Sequence, residues 1–311
     1  MTPEDAIREE VARQGFVACG FAHAGPAHGH KAYVEWLEAG YAADMHYLQR
    51  RAALRRNPRT LAQDACSIIA VAARYPVNMS PHGGFATYAR GADYHDVLRG
   101  KLRAVIKRMR AADPACTCAR ICVDSAPLLE REWAARAGLG WRGRQGQLVH
   151  PTQGACLVLG FILTDLTLPA STPLPNQCGD CRRCLDACPT GAAMGGGGVD
   201  ARRCLSYLTI EHDGAIPEDW AAELHGALFG CDCCTATCPY NPPNETPGIM
   251  PELRETARPL GADELAALDE DAFARRFRGT AVHRSGLARL QRNARLAGPR
   301  AKRSSDRSCK P

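Results

Sequence analysis

No stretch of the 311 residues approaches the ~18 consecutive apolar residues that a membrane-spanning helix needs. The amino terminus, MTPEDAIREEVARQGF, has neither an apolar signal core nor a twin arginine. It reads instead as a helix start, with Thr2 as N-cap, Pro3 at the first helical position and acids in the first turn. No internal repeat is visible apart from two Cys-Pro motifs. These absences argue against a membrane or exported protein, so a cytoplasmic chain with no membrane partner is expected. Hydrophobic content of 45% and charged content of 23% are ordinary for a globular protein. The length fits a main domain plus a smaller module.

Cysteine is not lacking. A disulfide framework is a poor reading of 16 cysteines in a cytoplasmic chain of this size. Eight of those between Cys178 and Cys238 are assigned to metal below. Cys19, Cys66, Cys116, Cys118, Cys122, Cys156, Cys233 and Cys309 default to small buried hydrophobes. The net charge of +6 is modest but unevenly placed. From Arg284 to Lys310 there are nine Lys or Arg and one acid, Asp306. Such an end suits a polyanion such as RNA, or it is simply a solvated tail.

The apolar runs at 16–21, 67–73, 119–123 and 156–163 read as strands. Helical patterns lie at 3–14, 29–39, 95–112 and 127–137. An α/β or α+β domain over 1–170 is expected. Residues 75–84 read as a loop, and the Pro/Ser-rich stretch 169–177 as a boundary. The cysteine-bearing module would cover 171–250, and a basic helical segment 251–311.

Residues 178–189 read CGDCRRCLDACP, a full C-x2-C-x2-C-x3-C-P run. Three closely spaced thiolates wrap one cubane, while the fourth reaches a second cluster. Zinc would need two separated Cys-x-x-Cys knuckles. Cys188 therefore demands a second cluster, and Cys238-Pro239 is its counterpart. The first [4Fe–4S] cluster would take Cys178, Cys181, Cys184 and Cys238. The second would take Cys188, Cys231 and Cys234, leaving one vacancy. Cys204 can fill it, with Cys233 the competing candidate and a buried core thiol the bland alternative for Cys204.

The stretches ATYARGADYHDVLRGKL (86–102), VDSAPLLEREWAARAGLGWRGRQ (123–145), LGFILTDLTL (159–168), RRCLSYLTIEH (202–212) and FGCDCCTATCPYN (229–241) narrow the choice. Together they resemble epoxyqueuosine reductase, over roughly residues 1–298. The resemblance implies an enzyme that removes the epoxide oxygen of epoxyqueuosine at the tRNA wobble position. It implies an α+β fold: a cobalamin-binding α/β N-terminal domain, a two-cluster ferredoxin-like module, and a basic helical C-terminus. Electrons would pass from an external low-potential donor through two [4Fe–4S] clusters to cobalamin. A monomer is expected.

The resemblance further makes Asp124, in the DSAP motif, the proton donor. A carboxyl against apolar surface would have its pKa raised, as that role needs. Alternatively, Asp124 caps a helix starting near Pro127, unless Ser125 does so. Arg55, Tyr88, Arg90, Tyr94, Asp124, Gly143 and Gly154 are the candidate cobalamin contacts, and Gly138 and Gly140 could also admit close backbone approach. No DxHxxG-type motif is present, and His95 reads as a structural hydrogen-bonder rather than a cobalt ligand. Arg284, Arg289, Arg292 and Arg295 are the candidate RNA contacts. Where the family commonly has Gly-Lys-Asn after Gly-Trp, this chain has Gly143-Arg144-Gln145, which keeps the charge but changes its geometry. Cys116, Cys118 and Cys122 are not family features, and no helical-repeat extension is expected. Two other readings remain open: a reductive dehalogenase, disfavoured by the missing twin arginine, and an electron-transfer subunit, which leaves the DSAP block unexplained.

Overall fold

The computed structural model describes residues 2–78, 84–256 and 260–297. Its strands are β1 (Ala18–His23), β2 (Ser67–Arg74), β3 (Gly84–Phe85), β4 (Ala119–Cys122), β5 (Trp141–Arg142), β6 (Leu148–Val149), β7 (Leu157–Thr164) and β8 (Ala227–Phe229). Its α-helices begin with α1 (Pro3–Arg13), α2 (His30–Glu38), α3 (His46–Arg50), α4 (Tyr94–Ala112), α5 (Glu130–Arg136) and α6 (Arg183–Asp186). They continue with α7 (Leu205–Ile210), α8 (Glu218–Ala222), α9 (Cys233–Ala236), α10 (Ala262–Ala266), α11 (Glu270–Phe277) and α12 (Leu287–Ala297).

The four expected strands form one sheet in the order β1-β2-β7-β4. Every pairing in it is antiparallel, so the N-terminal region is α+β rather than parallel α/β. All eight residues of β2 are buried. Ile69, Val71 and Ala73 face α1 and α4, meeting Ile7, Val11, Leu98, Leu102 and Met109. Ile68, Ala70 and Ala72 face α5, meeting Trp133 and Ala134. With both faces covered, the strand reads as a continuous apolar run although its neighbours are antiparallel. Each fully buried Ile or Leu contributes roughly 1.5–3 kcal/mol.

Thr2 caps α1 in a reciprocal capping box with Asp5, as the sequence pattern requires. The expected helix at 127–137 begins only at Glu130, and its N-cap position, Leu129, offers no side-chain cap. Neither Asp124 nor Ser125 serves as a cap.

A second layer is built on the parallel pair of β3 and β8. Phe85 and Phe229 from that pair pack with Leu265, Phe273, Phe277 and Leu290 of α10, α11 and α12. The C-terminal helices thus rest on the strand that leads into the second cysteine cluster. The cations from Arg300 to Lys310, and Cys309, lie outside the described residues, as does part of the 75–84 loop.

Candidate active site

The eight cysteines group by their electrostatics. Burial pushes the Cys238 thiol up to about 11, and the charges of Cys178, Cys184 and Cys181 act in the same direction. Burial raises Cys234, and Cys231, Cys204 and Cys188 add to it. Burial likewise brings Cys204 to about 11, with Cys231 and Cys188 contributing. These mutual effects fall mainly within two groups, Cys178, Cys181, Cys184 and Cys238 in one and Cys188, Cys204, Cys231 and Cys234 in the other, with Cys184 also acting on Cys234. Among the described residues, no three His, Cys, Asp or Glu side chains converge as ligands of a single ion. Eight thiols in two quartets are a donor set suited to [4Fe–4S] clusters. Cys233 is buried, and its hydrogen bond to Cys231 lowers the Cys231 thiol.

Three contacts hold these loops, and none was legible in the sequence. The Trp141 indole donates to Cys178 Sγ at 3.3 Å, with Tyr240 packed edge-on against its ring. Buried Asp232, inside the CDCC run, accepts from Asn78 Nδ2, Thr87 N–H and Thr87 Oγ at 3.0, 2.8 and 2.9 Å. That carboxylate ties the second cysteine cluster to the segments on both sides of β3. After Cys204, the end of α7 and the loop beyond it are held from α12. Arg289 donates to the Ile210 carbonyl, Arg292 to those of Leu208, His212 and Gly214, and Asn293 to that of Thr209. Cations at a helix C-terminus satisfy its orphan carbonyls and its dipole.

Asp124 has φ 55°, one of three non-glycine residues with positive φ among those described. Such strained positions cluster at functional sites. Its backbone N–H donates to Glu130 Oε1 at 2.6 Å, and its Oδ2 lies 3.1 Å from His95 Nε2. The carboxyl keeps 56% of its side-chain surface open. Yet it acts electrostatically on Tyr47, Tyr88 and Tyr94, and on Glu211, which extends the Cys204 helix. Asp124 therefore lies within electrostatic reach of α3, α4, the loop before it, and the end of α7.

The expectation of a raised Asp124 pKa is corrected. Burial works to raise it, but the hydrogen bond and charge of His95 outweigh burial and bring it below its ordinary value. The raised carboxyl is its neighbour Glu130, pushed up to about 7 by burial and by the Asp124 charge.

The other expected contacts divide. Tyr94 stacks on His95 at 3.9 Å, and Tyr88 meets Tyr94 edge-on at 5.9 Å. Tyr47 from α3 is 40% exposed, and burial with the Glu211 and Asp124 charges pushes its hydroxyl to about 12. Arg55 is buried, donates to the Arg51 carbonyl and lies over the Tyr33 ring. Arg90 donates to the Phe85 carbonyl and lies 3.8 Å from Glu255. Gly143 and Gly154 face the chain's own atoms. A Cβ on Gly143 would meet Gln145 Oε1, and one on Gly154 would meet Asn241. Of the four candidate RNA-contacting arginines, Arg284 is 3.0 Å from Asp93, Arg289 is bonded to Asp213, and Arg292 is half-buried among carbonyls. Arg295 alone of the four is exposed with no hydrogen bond or ion pair among the described residues.

Residues 177–241 match the family model of the 4Fe-4S double cluster binding domain, so the chain is of the two-cluster iron–sulfur class. Residues 55–125 match the model described as epoxyqueuosine reductase QueG, DUF1730. An epoxyqueuosine reductase of Synechococcus sp. (strain CC9605) is 37% identical over 308 residues, covering 95% of this chain and 94% of that one. One of Gloeobacter violaceus is 38% identical over 310 residues, covering 96% of each. The chain belongs to the epoxyqueuosine reductase family and is an oxidoreductase.

Among solved structures, an epoxyqueuosine reductase with an epoxyqueuosine-modified tRNA-Tyr stem loop aligns with TM-score 0.87 at 29% identity. It covers 94% of this chain and 80% of that one. The Bacillus subtilis enzyme, in a structure with its aspartate catalytic loop swung out of the active site, aligns with TM-score 0.83 at 28% identity over the same shares. Among the described residues no helix is long and apolar enough to cross a membrane.

Proposed function

We propose that this chain reduces epoxyqueuosine to queuosine at the wobble position of tRNA in the cytoplasm, with Asp124 delivering the proton to the epoxide oxygen. The observation that carries the proposal is the placement of Asp124. It stands on a strained loop, hydrogen-bonded to His95, and its charge reaches Glu211 at the end of the helix that starts from Cys204. Its carboxyl keeps more than half of its side-chain surface open, as a group that must reach a substrate has to.

Cys178, Cys181, Cys184 and Cys238 would hold one [4Fe–4S] cluster, and Cys188, Cys204, Cys231 and Cys234 the other. Tyr88, Tyr94 and Tyr47 bring aromatic rings near Asp124, and the Cys204 charge reaches Tyr88, a setting that suits a corrin ring. They would hold cobalamin together with Arg55. When bound, these groups supply two electrons, one at a time, from an external low-potential donor. The chain itself would orient the epoxide against Asp124 and keep the donor carboxyl next to a proton source. Residues 1–170 would act as the cofactor-binding unit, 171–250 as the cluster module and 251–311 as the tRNA-facing segment.

The test is incubation of the reconstituted protein with epoxyqueuosine-containing tRNA, cobalamin and a strong one-electron reductant, followed by nucleoside analysis. Queuosine should appear. Its absence, with both clusters and cobalamin bound, would overturn the proposal.

A further inference from the structure

Arg284, Asp93, His95 and Asp124 form one hydrogen-bonded line from the C-terminal segment to the Asp124 loop. Asp93 is the N-cap of α4, with its Oδ1 accepting the His95 backbone N–H at 3.0 Å. The same oxygen lies 2.6 Å from His95 Nδ1. The other oxygen of Asp93 accepts from Arg284 Nε at 3.0 Å. His95 Nε2 lies 3.1 Å from Asp124 Oδ2. The ring is buried and stacked on Tyr94, whereas the Asp124 side chain is more than half exposed.

Both nitrogens of His95 thus face carboxylate oxygens. An ionised carboxylate only accepts, and a neutral imidazole has one donor nitrogen. With both carboxylates ionised, only the imidazolium satisfies both contacts. The line therefore stores one proton next to the group that must give one away. We propose that His95 is the proton-holding residue behind Asp124, passing its Nε2 proton to Asp124 Oδ2 as Asp124 protonates the departing epoxide oxygen. This rests on the reading of Asp124 as donor.

The step balances. Both epoxide C–O bonds break, a C=C bond forms, and the oxygen leaves as water. Two electrons come from the low-potential donor, one proton comes through Asp124 and the other from solvent. His95 goes from imidazolium to imidazole and Asp124 ends as it began. His95 acts through Asp124, so it is a positioning residue.

The groups facing this line are Asp93, Asp124, Tyr94 and, through Asp93, Arg284; Glu130 and Arg131 stand beside Asp124. Burial lowers His95, but Asp124 and Asp93 outweigh it and raise the ring above its ordinary value. Turnover by the native chain should therefore fall as pH rises through the raised His95 value. In His95→Gln, the only proton left is that of Asp124 itself, so the fall should begin at lower pH. Between the two limbs the deficit in kcat should grow about tenfold per pH unit, with KM unchanged.

The experiment is a pH–rate series on reconstituted native, His95→Gln and Asp124→Asn proteins, with nitrogen-15 NMR titration of His95 as an activity-independent readout. The His95 titration should move to lower pH in Asp124→Asn. A pH-independent deficit in His95→Gln, or an unmoved NMR titration, overturns the relay. Should His95→Gln not fold, Asp93→Asn keeps the ring and should shift the alkaline limb downward; an unshifted limb overturns the relay equally. Normal turnover by Asp124→Asn removes the donor assignment and the relay together, whereas an inactive Asp124→Asn beside a normal His95→Gln removes the relay alone.

Discussion

Arg292 and Arg295 lie three residues apart on α12 and should fail in different ways. The Arg292 guanidinium donates to the carbonyls of His212 and Gly214 at 2.7 and 2.8 Å, and to that of Leu208 at 2.7 Å. A hydrogen bond from a charged group contributes about 1.5–3 kcal/mol when buried. This one is half-buried and one of its carbonyls is solvent-facing, so about 1 kcal/mol per bond is appropriate. Arg292→Ala should then cost about 3 kcal/mol, and at about 2 °C per kcal/mol for a long chain the melting temperature should drop by about 6 °C. The loosened segment begins at Cys204, so cluster content should fall in the same variant. Arg295→Ala removes an exposed cation with no partner among the described residues, and its melting temperature should stay within about 1 °C. If Arg295 meets a phosphate, the slope of log affinity against log salt should flatten by about 0.7–0.9. Differential scanning calorimetry and a tRNA-binding salt series decide the matter. An Arg292→Ala protein with unchanged melting temperature and a flattened salt slope would refute the reasoning, because its guanidinium would then be facing RNA rather than carbonyls.

Anaerobic reconstitution should give about eight irons per chain, and a value near four would remove the two-cluster arrangement. Cys204→Ala should lose one cluster while Cys233→Ala keeps both; the reverse outcome would exchange their roles. Trp141→Phe removes the N–H that points at Cys178, a hydrogen bond that would stabilise added negative charge on a cluster held by that thiolate. Its midpoint potential should become more negative by about 20–45 mV, equivalent to about 0.5–1 kcal/mol for one electron, in a redox titration followed by EPR. A positive shift would contradict the direction of the hydrogen bond.

The strands and the double-cluster module were legible because each is a local signal. Apolar runs marked β1, β2, β4 and β7, and the spacing of the first motif demanded a second cluster. The antiparallel order was not legible, because a strand buried on both faces has the same run of Ile, Val and Ala whichever way its neighbours point. Long-range polar partners were equally hidden. Asp232 looks like any acid between two cysteines, and its donors Asn78 and Thr87 lie about 150 residues away in sequence. Glu130 resembles an ordinary first-turn acid of α5, yet it receives the Asp124 backbone N–H and is the carboxyl whose pKa rises. The inference from an apolar setting to a raised Asp124 pKa failed because it omitted His95, 29 residues earlier.

The basic end shows the same limit in its sharpest form. In sequence, Arg284, Arg289, Arg292 and Arg295 are four equivalent positive charges. In the fold, the first three answer an Asp93 carboxylate, the end of α7 and the loop beyond it. The planar fork serves the Leu208 and His212 carbonyls from two separate nitrogens, which the single nitrogen of an ammonium group would match poorly. Arg292→Lys should therefore resemble Arg292→Ala in melting temperature, while Arg295→Lys should resemble the native chain in both stability and salt slope. Charge is retained in both variants, so a difference between them isolates geometry as the reason arginine stands at position 292.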